Sequence, residues 1–344
     1  METLGNNNIV GNEKLRARLY SDIKSGSLAH AFIIEGKKGS GRHTLAKNIL
    51  AALACTETGD STPCGRCKNC REILEDKCPD VMLIGRDGKA SLGIDAVRSI
   101  KSTIMAVANN LDFKAYIFED ADTMTLQAQN ALLLTLEQPP TRVYFFIICE
   151  NARSLLETIR SRAPILRTEP LDPRQIDAYI TSENVDKSIS SDALSLKSSS
   201  PEEYETLLFT ADGSIGRAIE LLSAKSRKPI TDARSLAMRF LSSAKGSSTS
   251  DHPLMLMPAF SQKREDLVFQ LGYISTALRD LILLKKCDSV QLCFFTNRED
   301  ALELSSTFAE RRLISLLDKI SVAMTSLGNN ANVRLTIIEL MSGI

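Results

Sequence analysis

Apolar residues follow two rhythms along this chain, and the change between them falls near residue 168. Before it, short apolar runs alternate with segments of helical spacing. Ala31–Glu35, Val81–Ile84, Ala115–Phe118, Val143–Cys149 and Pro164–Arg167 read as five buried strands. Thr44–Ala54, Asp95–Ala106 and Leu126–Glu137 read as helices, and Ser154–Ile159 as a short helix-like segment. Pro139-Pro140 ends the helix before it, since proline lacks the N–H that would continue the ladder. Strands alternating with helices predict a parallel sheet covered on both faces.

After residue 168 the strand signal disappears. Residues 173–223 read as short helices separated by serine-rich turns (Ser188–Ser200, Pro201), which suits a small helical domain. Lys225-Ser226-Arg227-Lys228-Pro229 reads as a linker. Farther on, Leu267, Leu271, Ile274, Leu278 and Leu281 recur every three or four residues, as do Leu313, Leu316, Ile320, Met324 and Leu327, so each set gives a helix one apolar face. Ser242–Ser250 is a Ser/Gly loop between helices, and no internal repeat is present.

Composition narrows the function. The chain has 344 residues, which predicts two or three domains, and 43% hydrophobic residues, enough for real cores. Its 42 Lys+Arg balance 42 Asp+Glu, which excludes a uniformly basic nucleic-acid coat and an acidic disordered chain. The longest strongly apolar stretch, Val143–Cys149, is far short of the roughly 20 residues a bilayer span needs, so no transmembrane helix is expected. Met1–Asn6 lacks a basic region followed by an apolar run, so no signal peptide is expected and the cytosol is the expected compartment.

Gly36-Lys37-Lys38-Gly39-Ser40-Gly41-Arg42-His43-Thr44 lies between a strand and a helix, the context of a phosphate loop, G-x-x-x-x-G-K-[ST]. Glycines there let backbone N–H groups surround a phosphate, and the helix N-terminus adds partial positive charge. Gly36 and Gly41 keep the spacing, but Arg42 stands at the lysine position and His43 at the Mg²⁺-ligating hydroxyl. A guanidinium does not replace a compact ammonium, and Mg²⁺ prefers hard oxygens to imidazole. Thr44 comes one residue late, about 100° round the helix. The loop is expected to bind nucleotide weakly or not at all and not to hydrolyse it; the alternative is a plain strand-to-helix turn. Hydrolases of this class also place an Asp-Glu pair at a strand end. Here the strand ends in Glu119-Asp120-Ala121-Asp122, with the acids in reversed order, or serving as an acidic helix cap.

Of eight cysteines, five fall within residues 55–78, and Cys64-Gly65-Arg66-Cys67-Lys68-Asn69-Cys70 contains two overlapping C-x₂-C steps. A closed structural Zn²⁺ site needs four ligands, and either Cys55 or Cys78 supplies a fourth. A redox C-x-x-C centre fits three evenly spaced thiols less well.

Ile9-Val10-Gly11-Asn12, His30-Ala31-Phe32, the cysteine insertion, Asn130-Ala131-Leu132-Leu133-Leu134-Thr135-Leu136-Glu137-Gln138-Pro139-Pro140 and Arg160-Ser161-Arg162 together resemble bacterial clamp-loader subunits, AAA+ proteins of the DNA polymerase III holoenzyme. The resemblance covers residues 8–168 by motif and the remainder by layout. It implies an α/β AAA+ module with a five-stranded parallel sheet and a zinc-binding insertion at about 55–78 (residues 1–168), a small helical lid (169–227) and an all-α C-terminal oligomerisation collar (228–344). Without an intact G-K-[ST] or a long C-terminal extension, the chain resembles a non-hydrolysing member rather than the gamma/tau motor. The family's C-x₈-C-x₂-C-x₂-C pattern selects Cys55, Cys64, Cys67 and Cys70 as zinc ligands and leaves Cys78 a bystander. Ser161-Arg162-Ala163 falls on a Ser-Arg-Cys motif whose Arg enters the neighbouring subunit's ATP site; from the sequence alone Arg162 is equally a surface ion-pair partner. Arg217 falls where the family carries a nucleotide-sensing Arg, but with this loop it reads as a helix-start residue. The implied partners are gamma/tau and delta subunits, with the sliding clamp and primed DNA reached through the complex. The competing expectations are an active gamma/tau-type ATPase with a divergent loop, and a zinc-dependent nucleic-acid-binding module.

Overall fold

The computed structural model describes residues 4, 9–57, 63–86, 88–245, 253–287, 292–295, 297–328 and 331–342. Most of Met1–Asn6 and residues 246–250 of the expected Ser/Gly loop lie outside them. The chain divides into two compact units, residues 1–186 with 212–217, and residues 187–211 with 218–344.

The first unit runs α1 (Glu13–Lys24), β1 (Ala31–Glu35), α2 (Arg42–Ala54), α3 (Lys68–Leu74), β2 (Val81–Ile84), α4 (Ile94–Ile104), β3 (Lys114–Phe118), α5 (Leu126–Glu137), β4 (Val143–Cys149), α6 (Glu157–Arg160), β5 (Ile165–Arg167) and α7 (Pro173–Ile180). The five strands form one parallel sheet in the order β2-β3-β4-β1-β5. Ile33 pairs with Ile147 on one side and Ile165 on the other. Ile33, Tyr116, Phe118, Phe145 and Ile147 pack on one face with residues of α4 and α5. Phe32, Ile34, Ile117, Phe146 and Ile148 pack on the other with residues of α1, α2 and α3. Cover on both faces is why these strands are continuous apolar runs rather than alternating ones. Phe32 stacks on Phe146 and Tyr116 on Phe145, each with ring centroids 5.7 Å apart.

One buried polar side chain joins α5 to the segment leading into α6. Gln129 donates from Nε2 to the carbonyls of Met124 and Ser154, each at 3.3 Å, and accepts from the Leu156 N–H at 2.8 Å. It lies in the apolar stripe of Leu132 and Leu136. Gln129→Leu removes the partner of three backbone groups, of which the Met124 carbonyl is buried, and a buried group left unpaired costs about 1–3 kcal/mol. With partial relaxation, a loss of about 2 kcal/mol is expected, read as a lower urea midpoint for the unit that contains the sheet. An unchanged midpoint would show the junction to be dispensable.

The second unit contains α8 (Lys187–Ser199), α9 (Pro201–Thr210), α10 (Ile215–Leu222, whose first three residues group with the sheet), α11 (Ala224–Ala244), α12 (Arg264–Leu284), α13 (Arg298–Ser306), α14 (Glu310–Gly328) and α15 (Val333–Ser342). Two expectations are corrected. Ser188–Ser200 is not a set of turns: its serines cover α8, where Ser190, Ser191 and Ser198 donate back to carbonyls three or four residues earlier while Ala193 and Leu196 are buried. Lys225–Pro229 is not a linker but lies in the start of α11: lysine and arginine favour helix, and the helix continues through Pro229 although proline cannot donate to the Lys225 carbonyl.

Leu267, Leu271, Ile274, Leu278 and Leu281 of α12 and Leu313, Leu316, Ile320 and Leu327 of α14 are buried in one core, with Met324 half-buried against it. By length and composition α12 is apolar enough to cross a membrane, but half of its most apolar window is buried inside the protein.

Candidate functional site

The glycine loop joins β1 to α2 at the carboxyl end of the sheet. Gly36 donates its N–H to the Cys149 carbonyl at 3.2 Å, and a Cβ on Gly36 would fall on the Thr168 hydroxyl. Gly39 has φ +76°, and a Cβ there would come 2.6 Å from Ser214 Oγ. Its carbonyl accepts from the Gly216 N–H at 3.0 Å, and the Lys38 carbonyl accepts from Ser214 Oγ at 2.9 Å. Lys37 pairs with Asp212, and Ser40 Oγ lies 2.8 Å from Thr168 Oγ1. Residues 212–217 therefore hold the loop by its carbonyls, and packing within this chain requires glycine at Gly39, against Ser214 and Gly216, and at Gly36, against Thr168. Arg217 starts α10, its N–H donating to Ser214 Oγ at 3.1 Å.

Arg42 opens α2 and is buried. His43 follows, its Nε2 3.6 Å from Glu119 Oε1. Burial lowers the His43 pKa below its ordinary value and Lys47 adds to this, outweighing Glu119 and Asp76, so the imidazole is neutral near pH 7. The other acids after β3 are engaged elsewhere. Asp120 pairs with Arg86 at 2.9 Å, while Asp122 accepts from the Glu150 and Asn151 N–H groups at 2.7 and 3.0 Å and from Ser154 Oγ. Of the acids the sequence offered, Glu119 is the one that faces the start of α2.

The insertion between α2 and β2 brings Cys55, Cys64, Cys67 and Cys70 together, all four sulfurs lying within 4.8 Å of one another. Cys55 ends α2, Cys67 caps the start of α3 and Cys70 lies within it. Cys64 and Cys70 Sγ are 3.9 Å apart. Zn–S bonds of about 2.3 Å in a tetrahedron place sulfurs about 3.8 Å apart, so this donor set fits Zn²⁺. The Cys67 N–H donates to Cys64 Sγ at 3.3 Å and the Cys70 N–H to Cys67 Sγ at 3.4 Å. Burial raises the Cys67 pKa, but N–H groups of Thr56 and Cys70 and the neighbouring thiols outweigh it and hold the group at about 6. Burial pushes Cys70 the other way, upward, where a thiolate needs a cation beside it. Cys78 is buried in the core below and lies outside the four-sulfur group. Lys47 Nζ donates to the Leu74 carbonyl at 3.1 Å and pairs with Asp76, and Asn69 Nδ2 donates to the Ala54 carbonyl at 2.9 Å. The cysteine insertion is thereby fastened to the helix that carries Arg42 and His43.

Arg162 follows α6. Its Nη2 donates to Glu137 Oε1 at 2.7 Å and its Nη1 to the Thr158 carbonyl at 2.8 Å, and the side chain is 34% exposed. Sequence reasoning missed the Glu137 contact, the Gln129 junction and the grip of residues 212–217. Gln129 had a signal, a polar residue on an apolar stripe; the other two join residues far apart in sequence and had none.

A five-stranded parallel sheet with a glycine loop after β1 and a four-cysteine insertion after α2 is the α/β layout that the sequence resemblance implies. Residues 11–172 match the family described as DNA polymerase III, delta subunit. It is 34% identical over 167 residues to DNA polymerase III subunit delta' of Bacillus subtilis, covering 48% of this chain and 50% of that one. It is 28% identical over 214 residues to DNA polymerase III subunit gamma of Buchnera aphidicola (from Acyrthosiphon pisum), covering 62% and 56%. The chain thus spans about half the length of these curated relatives. A gamma-subunit-related protein of Thermotoga maritima superposes with a TM-score of 0.47 at 19% identity, over 94% of this chain and 96% of that one.

Proposed function

We propose that the chain is a non-hydrolysing, delta'-like subunit of the DNA polymerase III clamp loader, which helps place the sliding clamp on primed DNA. The observation that carries this reading is that His43 and Glu119 stand side by side at the start of α2, Nε2 and Oε1 3.6 Å apart. Where a hydrolase holds Mg²⁺ with a hydroxyl and an Asp, this chain has a neutral imidazole and a single displaced glutamate. Arg42 in place of the loop lysine points the same way. Gly36, Gly39 and Gly41 are then the relic of a nucleotide loop, and Arg217 keeps only a helix-start role.

In this reading residues 1–168 form the AAA+ domain, 169–227 the lid and 228–344 the collar that meets gamma/tau and delta subunits in the cytoplasm. Cys55, Cys64, Cys67 and Cys70 hold one structural Zn²⁺. Arg162 enters a neighbour's ATP site, where a planar guanidinium stabilises charge on the γ-phosphoryl group.

A second reading, an active gamma/tau-type ATPase with a divergent loop, is favoured by one observation: a gamma relative aligns with more of this chain than the delta' relative does. ATP turnover by the purified chain separates the two. No Mg-ATP hydrolysis above background is expected. Turnover near the 1–100 s⁻¹ typical of competent phosphoryl-transfer enzymes such as kinases would establish the second reading.

A further inference from the structure

We propose that Glu137 is the positioning residue for Arg162, an inference that rests on the arginine-finger reading above. Glu137 is the last residue of α5, and Pro139-Pro140 ends the helix just beyond it, so its carboxylate is presented from a fixed backbone position. Arg162 sits just past α6, whose Ile159 is fully buried, and its own N–H donates to the Ile159 carbonyl at 3.0 Å. Both ends of the contact are therefore anchored in the same core.

The guanidinium is held from two sides. Nη1 is directed at the Thr158 carbonyl at 2.8 Å and at Ser161 Oγ at 3.3 Å, and Nη2 donates to Glu137 Oε1 at 2.7 Å. A guanidinium carries five N–H donors in a rigid plane. Nε makes no hydrogen bond among the described residues, and one Nη2 hydrogen is also left over. Thr158 and Ser161 hold one edge of the plane, and Glu137 fixes its rotation. The uncommitted donors remain available to phosphoryl oxygens. An arginine on an exposed surface otherwise samples many rotamers, and ordering it only on encounter costs free energy that pre-orientation removes.

The test is a loader reconstituted from the full chain with motor and delta subunits of the same organism. DNA-stimulated ATP turnover and clamp placement are measured across ATP concentration for the wild type, E137A, E137Q, R162A and E137A/R162A. E137A should lower clamp placement about 10-fold with KM for ATP unchanged, because a misplaced finger fails in the transition state rather than in nucleotide binding. E137Q should lose only about 3-fold, since its amide oxygen still accepts from Nη2 but without charge. The double variant should match R162A alone. E137A that loads like wild type or faster, or whose defect adds to that of R162A, would overturn the positioning role while leaving the finger intact. R162A that loads like wild type would remove the finger itself, and this inference with it.

Discussion

Cys70→Ser is expected to leave the protein without bound Zn²⁺ and to open the segment between α2 and β2. Cys70 is fully buried, and its sulfur meets Cys64 Sγ at 3.9 Å and the Ala51 carbonyl at 3.5 Å. A serine hydroxyl does not replace a thiolate at a soft site, and three ligands do not close a structural tetrahedron. In small zinc modules the metal contributes on the order of 10–16 kcal/mol of apparent binding free energy, so losing it removes most of what orders so short an insertion. The damage should stay local. The sheet is built on its own aromatic and aliphatic layers, whereas the insertion is held to α2 mainly by α3, Asn69 and Lys47. Metal content should fall from one equivalent to none, and amide exchange across Lys68–Leu74 should accelerate while that of β1 and β4 does not. Cys55→Ser should behave as Cys70→Ser does, and Cys78→Ser should keep the metal. Metal loss from Cys78→Ser but not from Cys55→Ser would reverse the ligand assignment.

The second large effect is expected at Arg162. Arg162→Ala should leave the chain folded and its complex assembled, because the pair with Glu137 is half-exposed and such pairs contribute only about 0–1 kcal/mol. An arginine supplied in trans is worth roughly 10³–10⁵ in rate at the site it serves. Only one of several sites would lose it, so total ATPase should fall modestly. Clamp placement at saturating ATP should fall much further, since it needs the sites to act together. Arg162→Lys should rescue poorly, because a lysine ammonium lacks the planar fork that Thr158 and Glu137 orient. Wild-type clamp placement by Arg162→Ala would reduce Arg162 to a surface residue.

The sheet was legible in the sequence because burial on both faces makes its strands continuous apolar runs: Ala31–Glu35, Val81–Ile84 and Val143–Cys149 have the boundaries the pattern predicts. Leu126–Glu137 was equally plain, since Pro139-Pro140 marks its end. Composition misled where it outweighed periodicity. Serines in α8 satisfy their hydroxyls on the helix's own carbonyls, and the basic run before Pro229 is helix. α3 also escaped notice, because its residues read first as a cysteine cluster and only the fold shows Cys70 and Ile73 turned into the core.

Of the site, spacing alone left Cys55 and Cys78 as rivals, and the family pattern pointed to the set whose sulfurs the structure brings together. The departures of the glycine loop from G-K-[ST] were readable as Arg42 and His43. That His43 meets Glu119, that Asp120 and Asp122 are committed elsewhere, and that residues 212–217 brace the loop all depend on contacts between distant segments.

The central claim is that this chain completes a clamp loader without hydrolysing ATP itself. Its most direct test is clamp placement on primed DNA by motor and delta subunits, with and without this chain, at saturating Mg-ATP. The account predicts that loading requires the chain, and that a preparation of the chain with no ATP turnover of its own restores it in full. Undiminished loading without the chain would contradict the account.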